Sequence, residues 1–129
     1  MIKEAYVSFE VAKLLKEKGN FNVPCLRVYD KNGIVCIRYS GFDIPHNYTN
    51  TMLYLCPTHQ MAMAWLREVH NIFIVIEPNL YDYSNEKISS YMCSLWQGDN
   101  YYENLLSKDF PSYEEAVEVA LKYVLENLI

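Results

Sequence analysis

The side chains best suited to chemistry lie in Cys56-Pro-Thr-His59 and, eleven residues after His59, at His70. Cysteine and histidine bind zinc, and they also act as nucleophile and base. Two metal ligands on one helix need a spacing of three or four residues. The positions three and four residues after His59 hold Ala62 and Met63, and the chain contains no Cys-x-x-Cys pair. We therefore expect no catalytic residue, no metal site and no cofactor.

The same segment is better explained as the start of a helix. Thr58 is a natural N-cap, because its hydroxyl can accept from a first-turn amide, and Pro57 disfavours helix in the residue before it. Ser8 and Ser112 open similar stretches, and Ser112 with Glu115 forms a capping box. Three helices are predicted, the third from about Tyr113 to the end. The predicted buried positions are Met61, Ala62, Trp65, Leu66 and Val69 in the second helix, and Ala116, Val119, Ala120, Tyr123, Val124 and Leu128 in the third.

A hairpin is predicted between the first two helices. Asn32-Gly33 joins two β-rich runs, and this dipeptide is typical of a type I′ turn. That turn pairs Tyr29 with Cys36 and Arg27 with Arg38. Two arginines and a tyrosine on one face are a candidate anion or nucleic-acid site. An ordinary solvated sheet face is the alternative interpretation.

The rest of the chain supplies further strands. Residues Ser40 to Tyr54 are typical of a loop, while Ile72 to Ile76 is apolar on both faces and predicts a central strand. Ile88 to Trp96 predicts another strand, and Tyr101 to Ser107 a shorter one. The predicted fold is α+β in a single domain, residues 1–129: a mostly antiparallel sheet of four to five strands with three helices packed on one face, in the order α-ββ-α-βββ-α.

Charge and tyrosine content bear on the partner. The net charge is −5, which disfavours nucleic acid, and the chain has twelve tyrosines. Tyr81, Tyr83, Tyr101 and Tyr102 lie in loop-like regions, and tyrosine is enriched at protein interfaces. We expect another protein as the partner, with these tyrosines as binding residues. The alternative is that they cover the open face of the sheet.

The apolar segments of the sequence indicate a compartment and an association state. The N-terminal residues lack the apolar run of a signal peptide, and Ile72 to Ile76 is too short to span a membrane. We expect a cytoplasmic protein with no membrane contact, whose four cysteines are free thiols. Phe73 and Val75 alternate with Ile72 and Ile74, so one apolar face points away from the helices. That uncovered face predicts a homodimer.

Three segments carry a resemblance to a known group of proteins. Residues 5–19 (AYVSFEVAKLLKEKG), 60–70 (QMAMAWLREVH) and 112–129 (SYEEAVEVALKYVLENLI) resemble small proteins encoded by phages and mobile elements of Bacteroides-type gut bacteria. This resemblance supplies no catalytic residues. Residues 110–116 (FPSYEEA) are also similar to the strand-to-helix step of HicB-type antitoxins.

We interpret the chain as a non-enzymatic accessory protein of phage or mobile-element origin that binds another protein. The first alternative is a nucleic-acid-binding or HicB-like antitoxin-type protein. The second is a small enzyme, for which His46 with Asp43 is the best acid–base pair.

Overall fold

A computed structural model describes residues 3–37, 48, 51–79, 83–84, 87–88, 90–103 and 108–129, with the backbone alone described at 83–84 and 87–88. The chain divides into two compact units. Unit 1 comprises Met1–Thr58 and Lys122–Ile129, and unit 2 comprises His59–Leu121. The described residues form three helices and antiparallel strands, which confirms the α+β class. The single domain stays a prediction.

Unit 1 combines one helix with a three-stranded antiparallel sheet. Helix α1 spans Phe9–Glu17, and the strands are β1 (Arg27–Tyr29), β2 (Val35–Ile37) and β3 (Tyr54–Leu55), in the order β2-β1-β3. The Ser8 hydroxyl accepts from the Val11 amide at 3.1 Å, so the predicted cap is confirmed. Helix α1 packs against β3, a strand that the sequence places within or beside a loop. The large core side chains of this unit are Val7, Val11, Leu15, Phe21, Val28 and Leu55.

The predicted hairpin register is wrong by one residue. Arg27 pairs with Ile37 and Tyr29 with Val35, whereas the predicted partners were Arg38 and Cys36. The cause is the Asp30 side chain, whose Oδ1 accepts from the backbone amides two and four residues on, at 2.8 Å and 3.0 Å. These bonds favour a three-residue loop that ends in the left-handed residue Gly33, φ +82°.

Unit 2 contains helix α2 (His59–His70) and strand β4 (Ile72–Pro78), which pack together. The further strands are β5 (Tyr83–Ser84), β6 (Lys87–Ile88), β7 (Tyr91–Gln97) and β8 (Asn100–Tyr102). Helix α2 begins directly after Thr58 and ends at the left-handed Asn71, φ 56°, both as predicted.

The strands of unit 2 form one three-stranded sheet, β4-β7-β8, and a separate pair, β5-β6. Strand β7 is therefore central, and the prediction that β4 is central is wrong among the described residues. The predicted single sheet is also replaced by two three-stranded sheets, one in each unit. The apolar sequence of β4 does not show which strand it pairs with, and only Ile72 of this strand is fully buried.

Helix α3 spans Tyr113–Asn127, and its residues from Lys122 onward belong to unit 1. The Glu115 amide donates to the Ser112 hydroxyl at 3.1 Å, which confirms the cap. The buried side chains of this helix are Ala116, Val117, Ala120, Leu121, Val124 and Leu125. Val119, Tyr123 and Leu128 are only half-buried, so the buried face is rotated from the predicted one.

Helix α2 shows a similar shift of its buried face. Ala62, Trp65 and Leu66 are buried as predicted, whereas Val69 is 60% exposed. Met63 and His59 are buried instead. The four cysteines are free thiols, as predicted. Among the described residues, no helix has the length and apolarity needed to cross a membrane.

Candidate functional site

Three exposed aromatic side chains lie in one row across the sheet of unit 2. Phe73 on β4 pairs directly with Trp96 on β7, and Trp96 pairs directly with Tyr101 on β8. Directly paired residues project from the same face with Cβ atoms about 5 Å apart. The rings of Trp96 and Tyr101 lie 4.7 Å apart between centroids, at 35°. We call Phe73, Trp96 and Tyr101 the aromatic row.

The rings of the aromatic row are exposed to solvent, whereas residues on the other face of the same sheet are buried. Phe73, Trp96 and Tyr101 are 42%, 43% and 46% exposed. On the other face, Ile72 and Leu95 are buried, because successive side chains of a strand alternate between faces. The backbone pairing of the sheet therefore holds the three aromatic residues side by side on its exposed face.

The charged residues on the strands that carry the aromatic row, and next to them in the chain, are acidic. Strands β4, β7 and β8 contain no lysine or arginine. Glu77 lies on the same face of β4 as Phe73, four residues further on, and is exposed. Asp99 in the β7–β8 turn and Glu103 just after β8 are also exposed. An aromatic row with acidic neighbours disfavours the binding of phosphate groups and favours the binding of cationic groups.

Unit 1 contains a buried lysine that the sequence does not reveal. Lys16 is 8% exposed. Its ammonium group donates to the Thr51 and Leu53 carbonyl oxygens at 2.8 Å and 2.7 Å, and to the Thr51 hydroxyl at 3.3 Å. The ring centroids of Tyr48 and Tyr54 lie 4.4 Å and 4.9 Å from the amine nitrogen. An ammonium ion has three donors, and all three are used here.

Burial lowers the pKa of Lys16, and the nearby carboxylate of Glu17 acts in the opposite direction. A cleft of about 280 Å³ opens beside the lysine and is lined by Lys16, Glu17, Asn20, Thr51 and Tyr54. A nucleophilic amine needs a free lone pair, whereas carbonyl acceptors hold this one in its protonated form. The arrangement is therefore a structural clamp that fixes α1 to residues 51–53.

In the Cys56-Pro-Thr-His59 segment, His59 forms a partly buried polar pair within unit 2. His59 is 5% exposed, and its Nε2 lies 2.9 Å from Oε1 of Glu118 on α3. Cys56 is buried and lies in unit 1. Among the described residues, no group of three or more His, Cys, Asp or Glu side chains could hold a metal ion. Helix α2 begins at His59, as the helix-start interpretation predicts, and His59 adds a tertiary contact with Glu118.

Arg27 and Tyr29 both make contacts within unit 1. The guanidinium carbon of Arg27 lies 3.9 Å from the ring centroid of Tyr6. The Tyr29 hydroxyl donates to the Val7 carbonyl oxygen at 2.6 Å. Both side chains thus bind the N-terminal segment, and both are half-buried.

The predicted tyrosines are distributed differently. Tyr101 belongs to the aromatic row, whereas Tyr102 pairs with Leu95 and lies half-buried on the opposite face. Tyr83 lies in β5, where only the backbone is described. The remaining predicted site residues lie outside the described residues: Arg38, Tyr81, Asp43 and His46.

Sequence reasoning missed Trp96 as a site residue and identified Phe73 only as part of an uncovered face. The signal in the sequence was a large aromatic residue in each of three β-rich segments: Phe73, Trp96 and Tyr101. Only the pairing register brings them into one row.

Compared with known proteins, this chain matches no family model, no curated protein and no solved structure. The resemblance to phage and mobile-element proteins accordingly stays a prediction, and any functional conclusion depends on the geometry of the chain itself.

Proposed function

We propose that this chain is a non-enzymatic protein-binding module, of the phage or mobile-element kind that its helices resemble, and that it binds its partner through the aromatic row. The observation that carries the proposal is the register of β4, β7 and β8, which places Phe73, Trp96 and Tyr101 side by side and exposed. Tryptophan and tyrosine dominate the energetics of protein interfaces. Three such rings on one rigid face are a suitable centre for an interface.

The size of the aromatic row favours a peptide segment over a broad globular surface. An aromatic side chain offers about 200 Å² of surface, so rings a little over 40% exposed present roughly 250 Å² in total. Stable globular interfaces bury about 800 Å² on each partner. The row therefore fits a few residues of an extended chain.

The test is a selection of peptides against the folded protein. Peptides enriched from a random displayed library should lose at least tenfold in affinity on Trp96→Ala and on Tyr101→Ala. Val69→Ala is the matched control, since Val69 is an apolar residue of the same unit with 60% exposure. It should leave the affinity unchanged.

Three results would contradict the proposal: no peptide is enriched, the enriched peptides bind Trp96→Ala normally, or the row is covered by a second copy of this chain. Sedimentation equilibrium at the concentrations of the binding assay identifies the last case, because a dimer that Trp96→Ala dissociates would place the homodimer interface on this row.

A further inference from the structure

We infer that the peptide recognised by the aromatic row is basic, with arginine or lysine side chains lying against the rings. This inference rests on the proposed function and adds the chemistry of the partner. It follows from charges that surround the row and from the electronic character of the rings themselves.

The rings favour a cation because the face of an aromatic ring carries negative charge density. A guanidinium or ammonium group over Trp or Tyr is attracted to the ring even at an exposed site, and more strongly when water is excluded. This chain already uses the same contact elsewhere, between Arg27 and Tyr6 at 3.9 Å. In the aromatic row, Trp96 and Tyr101 have no basic residue on their own strands to occupy that position.

The neighbouring charges reinforce this preference. Glu77 on β4, Asp99 in the β7–β8 turn and Glu103 just after β8 are exposed, and β4, β7 and β8 contribute no positive charge to offset them. An acidic rim attracts a basic segment and repels an acidic one, and it speeds encounter at low salt. Polyanions such as single-stranded nucleic acid meet the same repulsion.

The probes are two labelled nonapeptides of one sequence, one with three arginines at alternate positions and one with citrulline in their place. Citrulline keeps the shape and loses the charge. Fluorescence anisotropy should show the arginine peptide binding at least tenfold more tightly, and raising the salt should remove most of that difference. Trp96→Ala should abolish binding of the arginine peptide, whereas Val69→Ala should not.

The acidic rim is tested by Asp99→Asn/Glu103→Gln. Its matched control is Glu68→Gln/Glu114→Gln, which changes the net charge equally at two exposed residues of the same unit. The first double variant should lower the affinity for the arginine peptide at least threefold and leave the affinity for the citrulline peptide unchanged. The control variant should alter neither affinity.

Each other outcome overturns the inference. The inference fails if both peptides bind with equal affinity, if neither binds, or if the two double variants have equal effects. It also fails if a single-stranded oligonucleotide, or an oligosaccharide such as maltohexaose, binds more tightly than the arginine peptide. If library-selected peptides still depend on Trp96 while charge has no effect, the proposed function stands and only the basic character fails. If nothing depends on Trp96, both fail together.

Discussion

Lys16 keeps its charge inside unit 1 because every donor of its amine meets an acceptor. Two carbonyl oxygens and one hydroxyl take the three protons, and two tyrosine rings lie within 4.9 Å of the nitrogen. Desolvation opposes the charge and lowers the pKa of the amine. Breaking one side of such an arrangement is more damaging than never having it, since the remaining polar groups are left buried and unpaired.

We therefore expect Lys16→Met to destabilise the protein by about 3 kcal/mol, because the carbonyl oxygens of Thr51 and Leu53 lose their donor. The control is Lys18→Met, where the side chain is exposed one residue past the end of the same helix. It should change stability by less than about 0.5 kcal/mol. Urea unfolding of both variants measures the difference. Equal effects would mean that the clamp contributes nothing.

At the scale of elements, the turns determine where side chains point. The β1–β2 hairpin needs Gly33 for two separate reasons. Its φ of +82° suits only glycine well, and an added Cβ would lie 2.8 Å from Cδ2 of Phe9 on α1. Gly98, in the β7–β8 turn, has φ +59° but no atom closer than 4.0 Å. A substitution at Gly98 therefore tests backbone strain alone, whereas a substitution at Gly33 tests backbone strain and steric contact together.

Gly98→Ala should destabilise by about 1 kcal/mol through the left-handed backbone alone. Gly33→Ala should cost about 1–3 kcal/mol more, because the new methyl group overlaps Phe9. In the presence of Phe9→Ala, the cost of Gly33→Ala should fall to that of Gly98→Ala. Urea unfolding of this double-mutant cycle checks the prediction, and an unchanged cost in the Phe9→Ala background would refute the contact.

The elements also show how far the sequence determined this fold. The three described helices begin directly after Ser8, Thr58 and Ser112, as the sequence predicts. The cap bonds of Ser8 and Ser112 join residues only three apart in the chain, so they can be predicted from local sequence. The hairpin turn was located correctly but its register was not, since the Asp30 side chain selects a longer loop. This shift of one residue changed the pairing partner of Tyr29 from the predicted Cys36 to Val35.

For the whole molecule, stability at alkaline pH depends on the buried thiol of Cys93 on β7. Burial raises the pKa of this thiol from 9.0 to about 11. In the unfolded chain the thiol ionises at the lower value, so increasing pH favours unfolding between these limits. The contribution is present in full below pH 9 and is lost as pH rises through about 11. Lys16 acts in the opposite sense, because its pKa is lowered on folding.

We expect wild-type stability to fall by about 2 kcal/mol between pH 8.5 and 10.5 through this thiol. Cys93→Ala should be less stable than wild type at neutral pH, because it leaves a space in the core, but should show a smaller loss of stability over this interval. Cys36→Ala, which removes an exposed thiol on β2, should retain the wild-type pH dependence. Urea midpoints across the range measure the slopes, and equal slopes for wild type and Cys93→Ala would exclude the thiol as the cause.

The sequence by itself determined the local features of this protein: the α+β class, the helix starts, the left-handed Asn71 and the presence of β-rich runs. Each of these depends on residues within a few positions of one another. Tertiary structure alone decided the division of the described strands into separate sheets, the clamp around Lys16, the His59–Glu118 contact and the aromatic row. His59 and Glu118 are 59 residues apart, and Lys16 and Thr51 are 35 apart. Contacts of that separation depend on which strands and helices meet, and the period of a single strand or helix contains no record of its neighbour.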